Sequence, residues 1–85
     1  MLLRLYVVGN SPKSLQARRN LEIIRTNHFG DDCQVEVIDV LDQPLRMLAD
    51  GIPATPALVK VSPPPVVKLL GDLSDHNKVI LTLRS

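Results

Sequence analysis

Ser11-Pro12-Lys13-Ser14 sets two hydroxyls three residues apart around a proline, directly after an apolar run and at the start of a helical pattern. The spacing is that of a Cys-Pro-x-Cys redox motif with both sulfurs replaced by oxygen. Thiol–disulfide exchange needs an acidified thiolate and a resolving thiol at a helix N-terminus, and a serine hydroxyl can supply neither. Oxidoreductase chemistry is therefore not expected here. As nucleophiles the two serines also lack any acid–base partner that the sequence places beside them, whereas helix capping explains both.

The remaining reactive side chains are scattered. A lone Cys33 excludes an intrachain disulfide and any multi-cysteine metal site, and at a loop-to-strand boundary it reads as a small packing residue. His28 and His76 are far apart and have no ligand partner nearby in the chain, so no metal and no cofactor are expected. Asp39, inside a strand pattern, is expected to meet a loop N–H or a helix end. No catalytic set emerges, and the expected role is binding rather than turnover.

These residues must be positioned by a small α/β frame. Leu3, Leu5 and Val7 alternate with Arg4, Tyr6 and Val8 as in a central strand. Asn10 or Ser11 can cap a helix with Pro12 in its first turn, where the missing N–H is harmless, and Ala17, Leu21, Ile24 and His28 recur at helical spacing over about 12–28. Gly30-Asp31-Asp32 breaks the helix, and residues 35–40 form a second strand pattern. A right-handed crossover makes these two strands parallel. Asp42 can cap a short helix over 44–50 that carries Leu45, Leu48 and Ala49.

Five of the seven prolines then fall between residues 53 and 65: Pro53, Pro56, Pro63, Pro64 and Pro65. Residues 57–61 and 66–70 read as strands on either side of the Ser62-Pro63-Pro64-Pro65 turn. Asp72 or Ser74 could cap a closing element, whose type stays open. As a helix, His76, Val79 or Ile80, and Leu83 share a face; as a strand, Val79, Leu81 and Leu83 alternate with Ile80, Thr82 and Arg84.

Composition narrows the function classes. With 85 residues, one domain is expected over 1–85, hiding about 60–65% of its unfolded surface. There is no Trp, one Tyr and one Phe, so Leu, Val, Ile and Ala must build the core, and association into oligomers is expected. Ten basic and nine acidic residues, mixed along the chain, argue against a nucleic-acid module, which needs a basic stripe or aromatic stacking platforms. The opening apolar stretch carries Arg4 and stops at Gly9-Asn10, too short for a signal peptide or a membrane span. A cytoplasmic location is expected.

Strand, helix, strand, then Thr55-Pro56 ahead of two more strands and a terminal element is the order of a thioredoxin-like βαβαββα domain. In that fold a Thr-Pro at this point usually has a cis peptide bond and lies beside the position held here by Ser11 and Ser14. More specifically, the blocks Leu3 to Ser14, Val37 to Leu41, Ala54 to Val61, Pro63 to Val66 and Gly71 to Ser74 resemble, in order, the signature blocks of the KaiB family. The resemblance implies a clock component that binds the ATPase ring of KaiC, helps sequester KaiA and engages an output histidine kinase. It also implies two folds: a resting tetramer or dimer with a rearranged C-terminal half (βαββααβ) and a thioredoxin-like monomer that binds the ring. The five prolines lie in the segment that would rearrange, and isomerisation of an X-Pro bond takes tens to hundreds of seconds.

On the same resemblance, Arg18, Arg19, Lys60 and Lys68 are the candidate contact residues. The chain departs from the family at Gly51, where a lysine is common, at Val67-Lys68, where an arginine pair is common, and at Thr82-Leu83-Arg84, which stands for Gly-Leu-Asp. Two other identities fit the same frame. One is the KaiB-like sensor domain of a SasA-type kinase; the other is a thiol-independent thioredoxin-fold enzyme such as a transferase, which a pocket with an acid–base set would signal.

Overall fold

A computed structural model describes residues 1–84. The chain runs β1 (Leu2–Val7), α1 (Pro12–Ile24), β2 (Gln34–Asp39), α2 (Pro44–Ala49), β3 (Ala57–Ser62), β4 (Val67–Leu70) and α3 (His76–Arg84). This is βαβαββα. The sheet order is β2-β1-β3-β4, with β1 parallel to β2 and antiparallel to β3, and β3 antiparallel to β4. Placing Leu5 opposite both Val37 and Leu58 sets the register that sends Leu3, Leu5 and Val7 to one face.

That face holds the main core. Leu3, Leu5, Val7 and Leu58 from the sheet meet Ala17, Leu21 and Ile24 of α1 and Val79, Ile80 and Leu83 of α3. Each such leucine contributes roughly 1.5–3 kcal/mol by burial, and truncation of Leu5 to alanine costs about 2–5 kcal/mol. On the opposite face a smaller cluster of Tyr6, Ile38, Ile52, Ala57 and Val59 lies partly under Met47. The two clusters follow directly from the period-two alternation of β1.

Local signals place the helix ends, with three corrections to the sequence reading. At α1 the cap is Ser11, whose hydroxyl accepts the Ser14 N–H, and Pro12 opens the helix. Its far end is not a continuous α-helix to 28: residues Arg25–Phe29 form a π turn, followed by a 3-10 turn over Gly30–Asp32. The wider turn advances the register by one residue, so Phe29 packs on the core and His28 is exposed. Gly30, at φ +59, ends the turn in a conformation that suits glycine.

At α2 the cap position falls to Gln43 and not to Asp42, because Pro44 is held at the first helical position, and no side chain caps it. At α3 the cap is neither Asp72 nor Ser74. Asp75 accepts the Lys78 N–H at 3.2 Å, while Asp72 accepts the Ser74 N–H at 3.1 Å in the preceding turn.

The closing segment is thus a helix, and its last turn places the Arg84 guanidinium 5.7 Å from the Phe29 ring centroid. The Thr55-Pro56, Ser62-Pro63 and Pro64-Pro65 peptide bonds are cis. Among the described residues no helix is long and apolar enough to cross a membrane.

Candidate partner-binding surface

The hydroxyl pair at the head of α1 is consumed by structure. Ser11 Oγ donates to Ser14 Oγ at 2.8 Å, and Ser14 Oγ, fully buried, accepts the Val8 N–H at 3.0 Å. Asp39 Oδ1 accepts from the Gly9 and Leu41 amides at 3.2 and 3.0 Å, which ties the same loop to the end of β2. Cys33 is 4% exposed and burial pushes its thiol up, away from the thiolate a redox cysteine requires. No group of His, Cys, Asp and Glu that could hold a metal ion occurs among the described residues.

The four basic residues singled out from the sequence do not converge. Arg18 and Arg19 are exposed on α1, on one layer of the domain. Lys68 is exposed on β4 and pairs in register with Val59, so its side chain lies on the α2 side of the sheet. Lys60 pairs with Leu3 on the main-core face and is 1% exposed, so in this arrangement it offers almost no surface to another protein. Of the five prolines, Pro53, Pro63, Pro64 and Pro65 are exposed and Pro56 is buried ahead of β3.

The structure also brings together a polar network that spacing did not announce. Arg4 Nε meets Glu36 at 3.2 Å, across the β1–β2 register, and Arg4 Nη1 meets Asp50 at 3.3 Å. Arg46 of α2 grips both Glu36 oxygens, at 2.8 and 3.0 Å, and Tyr6 donates to Asp50. The Arg46 hydrogen bonds hold the Glu36 carboxyl below its usual range, with Arg4 adding to the effect. An arginine and a glutamate set within strand patterns are the available signal, and only the register reveals that they pair.

With α2 held by this network, its Leu45 and Leu48 are turned outward, 76% and 75% exposed, and Leu41 in the preceding turn is 69% exposed. On the same side of the sheet a cavity of about 250 Å3 is lined by Arg4, Asp50, Val59, Val61, Val66 and Lys68. Leucines left this exposed form an apolar patch of the kind found at protein contacts.

The KaiB domain profile matches residues 4–85, nearly the whole chain. The chain belongs to the KaiB family. It is 46% identical over 83 residues to the circadian clock protein KaiB3 of Synechocystis sp. (strain ATCC 27184 / PCC 6803 / Kazusa), covering 98% of this chain and 81% of the relative. It is 48% identical over 82 residues to the circadian clock oscillator protein KaiB of Prochlorococcus marinus subsp. pastoris, covering 96% of this chain and 77% of the relative.

Among solved structures, the N-terminal domain of Synechococcus elongatus SasA superposes with a TM-score of 0.77 at 28% identity, over 96% of this chain and 77% of that one. Oxidised mitochondrial thioredoxin 3 of Saccharomyces cerevisiae superposes with a TM-score of 0.79 over 98% of this chain and 76% of that one. At 13% identity the thioredoxin likeness concerns the fold alone. The KaiB frame here is thus thioredoxin-like.

Proposed function

We propose that this chain is a non-catalytic clock adaptor that binds a KaiC-type ATPase ring and promotes sequestration of KaiA or signalling to an output kinase. The observation that carries the reading is the KaiB match across residues 4–85, joined to a hydroxyl pair engaged in structural hydrogen bonds. The exposed Leu41, Leu45 and Leu48, with Lys68 nearby on the same side of the sheet, support a protein partner. In this reading residues 51–84 have a second arrangement ending in a strand, which forms a resting oligomer in the cytoplasm, and the arrangement described above binds the ring. The dual periodicity of residues 76–84 and the density of prolines from 53 to 65 support it.

Gel filtration of the chain with a cognate ring, after hours of incubation, is expected to give a co-eluting complex. Absence of a complex at micromolar concentration would sink the assignment. A second reading, the sensor domain of a SasA-type kinase, draws on the 28% identity and common fold with the SasA domain. A kinase domain encoded in the same reading frame decides for it.

A further inference from the structure

We propose that Asn20 and the loop over residues 71–75 form a lock that holds α3 in place, and that opening this lock releases the terminal helix. The proposal rests on the reading that residues 51–84 have a second arrangement. It goes further by naming the contact that controls it.

Asn20, on α1, reaches across 52 and 56 residues of sequence. Its Nδ2 donates to the Asp72 carbonyl at 2.8 Å, which orients the amide. The Oδ1 then faces His76 Nε2 at 2.9 Å, so this nitrogen carries a proton and donates. One side chain therefore fixes both the loop and the first residue of α3.

The loop is itself strained. Its Asp72–Ser74 turn leaves Leu73 at φ +63, a left-handed conformation that a leucine rarely adopts. Leu73 stays there with its side chain 5% exposed in the main core, next to the residues of α3. Burial and the Asn20 bonds hold a segment whose backbone favours another state. Such an element opens as a unit when one hold is removed.

The test uses the full chain with Asn20→Ala, His76→Ala and the double variant. By native-state hydrogen exchange, amides of residues 72–84 should exchange about 2–10-fold faster in His76→Ala, the effect of one lost hydrogen bond, and faster still in Asn20→Ala, which loses two. The double variant should resemble Asn20→Ala, and amides in β1 and β3 should not follow. NMR of the wild-type imidazole should show Nε2 protonated. NMR exchange spectra should show the second arrangement rising by the same factor.

Unchanged exchange at residues 72–84, or an increase shared equally by β1, overturns the lock. A second arrangement seen in the wild type but unmoved by the variants also overturns it, while leaving the two-state reading intact. Selective opening of residues 72–84 with no second arrangement in any variant keeps the lock and rejects the two-state reading.

Discussion

The phenol of Tyr6 donates to the Asp50 carboxylate, joining the middle of β1 to the residue that ends α2. Tyr6 is fully buried, and burial first, then the Asp50 bond and its charge, push its phenol up to about 12 from 10. Because the folded-state value is raised, this contribution is whole below pH 10 and is lost as the pH rises towards 12. A two-unit shift corresponds to roughly 2–3 kcal/mol. Urea unfolding of the wild type should therefore weaken between those pH values. Tyr6→Phe should lose about 1–3 kcal/mol at neutral pH and show little of the alkaline slope; a slope as steep as wild type would disprove the assignment.

The hydroxyl pair predicts a restorable redox site. With Oγ atoms 2.8 Å apart at the head of α1, Ser11→Cys with Ser14→Cys is expected to close a reversible disulfide. Thiol counting after mild oxidation should then find Cys33 alone, and only after unfolding, because it is buried. Two further free thiols would show that the loop is not shaped as described. Ser14→Ala alone should cost about 1–2 kcal/mol, since it leaves the Val8 amide unpaired.

If a KaiC-type ring is the partner, as proposed, Arg19→Glu and Lys68→Glu lie on different layers and should behave independently. The variant that touches the interface should slow association several-fold at low salt, with the difference shrinking as salt rises. The other should bind as wild type. Equal loss in both would point to a partner that wraps the sheet edge, and no loss in either would move the contact to Leu45 and Leu48.

The end of α3 offers a measure of helix bias. Arg84→Asp removes the cation over Phe29 and sets a negative charge at a helix C-terminus, a combined cost of about 1–2 kcal/mol. Thr82→Gly adds about 0.5 kcal/mol through helix propensity. In the double variant, circular dichroism should lose helix signal and the melting temperature should fall. An unchanged melt would mean that packing of Val79, Ile80 and Leu83 alone holds the helix.

Local rules written in the chain were read with little loss. Pro12 behind Ser11, glycine at position 30 and the alternation from Leu3 to Val8 each report a constraint satisfied within a few residues, and each stands in the structure. The differences share a cause. An even helical period groups His28 with Ala17, Leu21 and Ile24, but a π turn breaks it, and cap preference alone favours Asp42 without the stronger demand of Pro44. Lys60 is buried by its place opposite Leu3 in a central strand, which no local rule announces.

What the sequence by itself determined is the order of elements, the loss of thiol chemistry at Ser11 and Ser14, and membership of the KaiB family. These depend on residue identity and short-range geometry. What only the tertiary structure decided is which face of each element is covered. Residues 76–84 fit two periods equally, and they are a helix because α1 and the Leu3, Leu5 and Leu58 face of the sheet offer a surface for Val79, Ile80 and Leu83. The leucines of α2, equally apolar, stay in solvent because the ion network turns their helix the other way. Periodicity announces an apolar face; what covers it depends on residues tens of positions away.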